Sequence, residues 1–235
     1  MTVDYRAILL DIEGTTTPIA FVYDVLFPYA RAHAGEYLRD RPDDDAIDLL
    51  KQEWAVDTAR GDAPAYTDDS IDALAKYVEW LMDRDRKSPG LKRLQGLVWE
   101  RGYRDGELHG DVCADVPPAL ERWHRGGVKA AIYSSGSVLA QRLLFSTTAF
   151  GDLTPLLSGF FDTSSGAKAS ADSYRHIAVA LGCSTAQLLF VSDVAVELDA
   201  ARSAGCQVAL CVRPGNVAQR VSADVPVVHS FDEIQ

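Results

Sequence analysis

The second half of the chain alternates short apolar runs with stretches of helical spacing, and this alternation restricts the fold more than any other feature. Predicted elements follow one another as a strand at 128–133, a helix near 138–145, a helix at 171–181, a strand at 188–191, a helix at 196–204 and a strand at 208–212. Parallel neighbours in a sheet need crossover connections, which helices supply. The pattern therefore predicts an α/β fold with a doubly wound parallel sheet. Residues 159–161, Gly-Phe-Phe, are interpreted as part of an irregular connection.

The first apolar run of the chain ends at two acids. Residues 7–10, Ala-Ile-Leu-Leu, are followed by Asp11, Glu13 and a turn that begins with Gly14. An apolar run bounded by Gly and Pro is typical of a buried central strand. In open α/β sheets, ligands bind beyond the carboxyl ends of such strands. We therefore expect Asp11 to lie at the mouth of a site.

The region from about residue 23 to residue 110 has a different character, with dense charges and apolar residues at helical spacing. One amphipathic stripe consists of Ile71, Leu74, Ala75, Val78, Leu81 and Met82. A second predicted helix carries Leu91, Leu94, Val98 and Trp99. We therefore expect a catalytic core made of residues 1–22 and 113–235, with residues 23–112 inserted as a helical cap.

Composition restricts the partners of the chain. The 235 residues carry a net charge of −11, which argues against nucleic acid as a partner because phosphate backbones are bound mainly by Lys and Arg. No basic-then-apolar leader is visible, and no apolar run approaches the roughly 20 residues that span a bilayer. The four cysteines form no Cys-x-x-Cys pair, so free thiols are expected. We expect a cytoplasmic protein, taken to be a monomer, that contacts neither membrane nor nucleic acid.

Polar groups follow three of the predicted strands. They are Asp11 with Glu13, Ser134 with Ser135, and Asp193, while Lys168 lies in a connection between the last two. A nucleophile, hydroxyl donors, a cation and a distant acid are the groups that phosphoryl transfer needs.

Each of these groups also has a structural interpretation. Asp11 could be a turn or cap residue, and residues 134–137 could cap a helix. Lys168 could be a surface lysine, and Asp193 could cap the helix that follows it. Glu197 is expected to face solvent or to support a metal site from behind. The five histidines share no ligand spacing. Taken singly, then, each group leaves both interpretations open.

Several motifs resemble those of one enzyme family. Residues 11–30, DIEGTTTPIAFVYDVLFPYA, are similar to the enolase-phosphatases (acireductone synthases) of methionine salvage, members of the haloacid dehalogenase superfamily. The other matching motifs are Leu94-Gln95-Gly96, Tyr133-Ser134-Ser135-Gly136-Ser137, Phe160-Phe161-Asp162-Thr163, Phe190-Val191-Ser192-Asp193 and Arg213-Pro214-Gly215-Asn216. Most phosphatases of the superfamily carry Asp two residues after the nucleophile, whereas this chain carries Glu13, as the enolase-phosphatases do.

The resemblance implies a role for each acid. Asp11 is the expected nucleophile, which forms an aspartyl-phosphate with the help of one Mg²⁺ per subunit. The expected metal ligands are Asp11, Asp193 and the backbone carbonyl of Glu13, an oxygen set that suits this ion. The Glu13 side chain then remains for proton transfer. No second acid stands next to Asp193, which is a departure from the superfamily pattern.

The resemblance also implies a phosphate site. Ser134, Ser135 and Gly136 are expected to bind the phosphoryl oxygens, in part through backbone amides. Lys168 is expected to neutralise charge that the cation does not reach.

The activity implied by the resemblance has two steps. The substrate 2,3-diketo-5-methylthiopentyl-1-phosphate is enolised, and the enol is then dephosphorylated to the acireductone 1,2-dihydroxy-3-keto-5-methylthiopentene. Glu13 and Lys168 are both candidates for removing the carbon-bound proton. The alternatives are a general small-phosphoester phosphatase, a phospho-accepting signalling module and a metal-independent dehalogenase.

Overall fold

A parallel β-sheet carries the residues that the sequence places at strand ends. The computed structural model describes residues 5–41, 45–61, 63–65, 70–86 and 88–234. In chain order its helices and strands are β1 (Ala7–Leu10), α1 (Ile19–Phe21), α2 (Phe27–Asp40), α3 (Asp45–Ala59), α4 (Ile71–Asp83), α5 (Pro89–Arg104), α6 (Val116–Arg125), β2 (Lys129–Tyr133), α7 (Val138–Ser146), β3 (Leu157–Phe161), α8 (Ala171–Leu181), β4 (Leu188–Ser192), α9 (Ala195–Ser203), β5 (Gln207–Cys211) and β6 (Val227–Val228). The chain divides into two units, Met1–Val22 with His109–Gln235, and Tyr23–Leu108.

The strand order creates a natural binding edge in the first unit. The strands pair in parallel in the order β3-β2-β1-β4-β5-β6, which confirms the predicted doubly wound sheet. The strands β2 and β3 lie on one side of β1, and β4, β5 and β6 lie on the other side. The strand order therefore reverses between β1 and β4. Ligands bind at such switch points in open α/β sheets. Leu10 lies opposite both Ile132 and Val191, so the residues that follow these three meet at one edge.

The central strand is buried on both faces. All four residues of β1 are fully buried, as expected for a strand covered by neighbours and crossover helices. On one face, Leu9 belongs to a core that contains Tyr133, Tyr174 and Phe190. This packing holds the carboxyl end of β1 in a fixed position.

The interpretation of residues 159–161 as irregular is wrong, because they belong to the edge strand β3. Ser158 and Gly159 have weak strand preference, which hides the strand in the sequence. A β-carbon on Gly159 would lie 3.1 Å from the ring of Phe161, so the glycine leaves room for that ring. The pairing with β2 also shifts register between Ala130 and Ala131.

The second unit is helical and has its own core. The predicted helix at the first apolar stripe is confirmed as α4, and the hydroxyl of Ser70 accepts a hydrogen bond from the amide of Ala73 at its start. Tyr77 stacks on Trp54 at 5.3 Å between ring centroids. Its hydroxyl donates to the buried carboxylate of Asp57 at 2.8 Å. The role of this unit as a cap stays a prediction.

Two further sequence expectations concern membranes and thiols. Of the helices in the described ranges, none has both the length and the apolar character needed to cross a membrane. The four cysteines are free, and Cys206 and Cys211 are buried. The expectation of free thiols is confirmed.

Candidate active site

The turn after β1 is held tightly by its own hydrogen bonds. The carbonyl oxygen of Ile12 accepts from the amides of Thr15, Thr16 and Thr17 at 2.9–3.1 Å, and the Thr16 hydroxyl donates to the carbonyl of Asp11 at 2.9 Å. These three threonines are fully buried. The turn is therefore part of the core rather than a surface loop.

Asp11 occupies the centre of the site. Its side chain is buried, and both carboxylate oxygens are engaged. Oδ1 accepts from the amide of Ile12 at 2.8 Å and from Nζ of Lys168 at 2.7 Å. Oδ2 accepts from the hydroxyl of Ser192 at 3.0 Å, which comes from the end of the neighbouring strand β4. The contacts fix the orientation of the carboxylate that the sequence predicts as a nucleophile.

Lys168 bridges two carboxylates rather than facing solvent. Its Nζ lies 2.7 Å from Oδ1 of Asp11 and 2.7 Å from Oε2 of Glu197, and its side chain is 11% exposed. Burial alone would lower the pKa of Lys168, but the charges of Asp11 and Glu197 outweigh it and raise that pKa above its ordinary value. Lys168 is therefore an ammonium ion at neutral pH.

The backbone around Lys168 is anchored by buried side chains of the core. The hydroxyl of Tyr174 donates to the carbonyl of Lys168 at 2.7 Å, and the hydroxyl of Tyr133 donates to the carbonyl of Gly166 at 2.9 Å. The hydroxyl of Ser173 donates to the carbonyl of Ala167 at 2.8 Å. Three consecutive carbonyls are thus held from β2 and α8, which places the lysine without any regular structure of its own.

Glu197 is a site residue that the sequence analysis placed wrongly in part. Instead of facing solvent, its carboxylate pairs with Lys168 and contacts the hydroxyl of Ser192 at 3.1 Å. Burial and the charge of Asp11 raise the pKa of Glu197. Because Ser192 has one hydroxyl proton, it can donate to only one of its two carboxylate neighbours at a time. The spacing of Glu197, four residues after Asp193 at the start of a helix, was the available signal.

Asp193 follows β4 and approaches the turn at Gly14. A β-carbon built on Gly14 would lie 2.5 Å from Oδ2 of Asp193, and Gly14 has a φ of +67°. Burial and then the negative charge of Asp11 raise the pKa of Asp193 from 3.8 to about 7. The raised pKa indicates that the two acids lie close enough for one charge to oppose the other.

The phosphate-binding residues predicted after β2 lie at the same edge of the sheet. Ser134 is buried and Ser135 is exposed, while the amide of Gly136 donates to the hydroxyl of Ser134 at 3.1 Å. The cap of α7 is Ser137, whose hydroxyl accepts from the amide of Ala140 at 3.2 Å. Ser137 therefore caps α7, and Ser134, Ser135 and Gly136 are not needed as caps.

Glu13 lies differently from the other acids. It is exposed, in contrast to its buried neighbours Ile12 and Gly14, and its backbone bridges to that of Thr17. Among the described residues, no cluster of three or more His, Cys, Asp or Glu side chains could hold a metal ion by itself. The predicted ligands are two carboxylates, of Asp11 and Asp193, and the backbone carbonyl of Glu13. They do not form a cluster of three side chains, and the metal site remains a prediction.

The segment after β5 also contacts the turn, which the sequence analysis did not predict. Nε of Arg213 donates to the carbonyl of Thr15 at 3.1 Å. The buried guanidinium also pairs with Asp115 at 2.9 Å, and the same carboxylate oxygen accepts from the amide of Phe231. Arg213 therefore links the turn of β1 to the carboxyl-terminal part of the unit. Its presence in a motif that matches the family was the available signal.

Comparisons with known proteins place this site in a family. Residues 5–205 match the model of the haloacid dehalogenase-like hydrolases. The chain is 49% identical over 238 residues to Enolase-phosphatase E1 of Synechococcus elongatus, covering 100% of this chain and 99% of the relative. It is 44% identical to Enolase-phosphatase E1 of Drosophila melanogaster, over 91% of this chain and 85% of the relative.

A solved structure supports the same placement. The UTR4 protein of Saccharomyces cerevisiae superposes with a TM-score of 0.77 at 33% sequence identity, covering 98% of this chain and 100% of that structure. The family model, the full-length identity and the shared fold agree with one another. The chain therefore belongs to the haloacid dehalogenase-like hydrolases and, within them, to the enolase-phosphatase E1 family.

Proposed function

We propose that this protein is an enolase-phosphatase of methionine salvage, a phosphoric monoester hydrolase that acts on 2,3-diketo-5-methylthiopentyl-1-phosphate. The products are phosphate and the acireductone 1,2-dihydroxy-3-keto-5-methylthiopentene. The observation that carries the proposal is the buried bridge of Lys168 between Asp11 and Glu197, at the carboxyl edge of the sheet. The names and full-length identity of the relatives support the substrate.

The residues at this edge fit a hard divalent cation. Mg²⁺ is usually bound by one or two carboxylates together with carbonyl, water and phosphate oxygens, rather than by a cage of protein side chains. Asp11 and Asp193 supply two carboxylates, and the raised pKa of Asp193 reports a site that is short of positive charge. A bound Mg²⁺ would offset the repulsion between the phosphate ester and Asp11 and polarise a substrate oxygen.

The phosphoryl step follows from the contacts of Asp11. One carboxylate oxygen of Asp11 attacks phosphorus as the bond from phosphorus to the enol oxygen breaks, and the enol oxygen takes a proton. Water then attacks the aspartyl-phosphate, which releases phosphate and restores the carboxylate. Lys168 holds Asp11 in place during both attacks, while Ser134 and the amides near Gly136 bind phosphoryl oxygens.

The charge of Lys168 narrows the choice of base for the enolisation step. An ammonium ion whose pKa is raised by two carboxylates has no lone pair to accept a proton. Of the two candidates, Glu13 is therefore the group we assign to proton transfer. Glu13 is exposed near the start of the turn that follows β1, so it is accessible to a molecule bound at this edge.

Replacing Asp11 by Asn tests the phosphoryl step. With substrate and Mg²⁺ present, the Asp11→Asn protein is expected to release no phosphate above background while still accumulating the enol, which absorbs in the ultraviolet. The matched control is Asp199→Asn, which alters an exposed acid of α9. Full phosphate release by Asp11→Asn, or turnover by the wild type in excess EDTA, would contradict the proposal.

Replacing Glu13 by Gln tests the enolisation step. We expect loss of enol formation from the diketone, together with retained hydrolysis of a simple aryl phosphate that needs no enolisation. If the enol still forms at the wild-type rate, Glu13 is not the base.

Three further expectations remain part of the proposal: a cytoplasmic location, a monomeric state and one Mg²⁺ per subunit. The helical unit Tyr23–Leu108 is proposed to select the methylthio-bearing substrate by apolar contact. A chain that lacks this unit should lose its preference for the diketone over simple phosphate esters. An unchanged preference would contradict that role.

A further inference from the structure

The segment after β5 holds the catalytic turn at two consecutive carbonyls. Nε of Arg213 donates to the carbonyl of Thr15, and Nδ2 of Asn216 donates to the carbonyl of Gly14 at 2.8 Å. Both carbonyls lie in the turn that follows Asp11. The proposed chemistry assigns no role to Asn216, although its side chain contacts the turn that follows the proposed nucleophile Asp11.

The hydrogen bond from Nδ2 to the Gly14 carbonyl determines the orientation of the Asn216 side-chain amide. Because Nδ2 must point at the carbonyl of Gly14, the amide oxygen Oδ1 points elsewhere. A flipped amide would place Oδ1 against that carbonyl, which would oppose two acceptors. In the actual orientation Oδ1 is buried and accepts no hydrogen bond from the described residues.

The amide oxygen of Asn216 points toward the predicted metal ligand Asp193. Oδ1 of Asn216 and Oδ2 of Asp193 lie 2.7 Å and 2.5 Å from a single point, the position that a β-carbon on Gly14 would occupy. The two oxygens therefore lie beside the same point, and no donor among the described residues reaches Oδ1 of Asn216. Buried acceptors without a partner are rare in folded proteins, and each calls for an explanation such as a bound water or ion.

We infer that Asn216 is a positioning residue of the cation site, whose amide oxygen accepts a hydrogen bond from a water of the cation's hydration shell. Mg²⁺ gives up its waters reluctantly, and a bound water keeps both protons to donate. Asn216 thereby connects the cation, Asp193 and the carbonyl of Gly14 in one hydrogen-bonded unit. The inference rests on the proposed Mg²⁺ dependence.

Substitutions at Asn216 distinguish the contribution of its amide nitrogen from that of its amide oxygen. Asn216→Ala removes both the donor to Gly14 and the acceptor beside Asp193. Asn216→Asp replaces the donor with a carboxylate oxygen that opposes the Gly14 carbonyl, and it keeps an oxygen acceptor, now negatively charged, beside Asp193. Gln207→Ala is the matched control, because the side-chain amide of Gln207 likewise donates to a backbone carbonyl, that of Ala186 at 2.9 Å, from the opposite end of β5.

The measurement is calorimetric titration of Mg²⁺ into each full-length protein without substrate, with folding checked by thermal denaturation in EDTA. We expect Asn216→Ala to weaken Mg²⁺ binding about tenfold, since residues that orient a metal's ligands typically contribute that much or more. Asn216→Asp should bind Mg²⁺ at least as tightly as the wild type, and Gln207→Ala should be unchanged. If Asn216→Ala does not fold, Asn216→Ser is titrated in its place with the same expectation.

Two results would overturn the inference. Either Asn216→Ala binds Mg²⁺ within twofold of the wild type, or Asn216→Ala and Asn216→Asp are weakened equally. The second result would assign Asn216 to holding the Gly14 carbonyl alone. A wild-type protein that binds no Mg²⁺ would overturn the proposed cofactor as well, so the two failures are distinguishable.

Discussion

The close approach of Gly14 to Asp193 makes a single methyl group a sharp test of the site. In Gly14→Ala, the new β-carbon would lie 2.5 Å from the Asp193 carboxylate, whereas real β-carbons keep 3.0 Å or more. The carboxylate must therefore retreat by at least roughly 0.5 Å. A misplacement of about 1 Å can cost about a hundredfold in rate, so we expect kcat/KM to fall roughly tenfold to a hundredfold.

Backbone strain must be separated from this displacement. Gly14 has a φ of +67°, and an alanine in that region costs roughly 1–2 kcal/mol wherever it stands. Gly127 has a φ of +74°, and its β-carbon would meet nothing within 4 Å. Gly127→Ala is therefore the matched control, which carries the strain without displacing a site residue.

The two variants are compared by thermal denaturation in EDTA and by phosphate release with saturating Mg²⁺. Both should lose stability, Gly14→Ala more than Gly127→Ala because its β-carbon also displaces Asp193 and Asn216, and only Gly14→Ala should lose activity. If Gly14→Ala turns over within threefold of Gly127→Ala, Asp193 does not need its present position and the assignment of the cation site is wrong.

Three other predictions follow from the charges of the site and its surroundings. Lys168→Met should lower kcat/KM about a hundredfold to a thousandfold, which is the usual effect of removing one preorganised charge from an active site. Lys92→Met, which replaces an exposed lysine, should leave kcat/KM unchanged. Equal activities of the two variants would contradict the bridging role of Lys168. In EDTA, the wild type should melt at a higher temperature at pH 6 than at pH 8, because the raised pKa of Asp193 makes the folded state hold a proton that is lost as pH rises through about 7; Asp193→Asn should flatten this slope. Arg213→Met should reduce the free energy of unfolding in urea by about 3–5 kcal/mol, because it leaves the largely buried Asp115 carboxylate without its cationic partner, and adding Asp115→Asn should recover part of the loss.

The fold was predictable where the polarity of each residue matches its burial in the structure. The run of residues 7–10 is apolar because β1 is covered on both faces, and the stripe of α4 repeats every three to four residues because one face is buried. The strand β3 escaped prediction because Gly159 serves the ring of Phe161 rather than the preference of the strand. The residue-type preference of a strand fails as a signal where a position is kept small to make room for a neighbouring side chain.

The site was predictable to the extent that strand ends meet at a sheet edge. Asp11 and Asp193 could be placed together because both follow apolar runs, which become β1 and β4. The partners of Lys168 could not be predicted, since its connection has no period and its position depends on Tyr174 and other core hydroxyls. Asn216 contacts Gly14 across 202 positions of sequence, and no local pattern encodes such a contact.

The charges gathered at this edge support the proposed need for a cation when a phosphate ester binds. When Asp11, Asp193 and Glu197 are ionised, the single ammonium of Lys168 balances only one of them in this cluster of described residues. An anionic substrate would add to this excess in a half-buried environment, where screening by water is weak. Burial and the charge of Asp11 raise the pKa of both Asp193 and Glu197, which favours proton binding at these acids when no cation is bound. A divalent cation would replace those protons, so its binding should release them, and substrate affinity and proton release should rise together as Mg²⁺ is added.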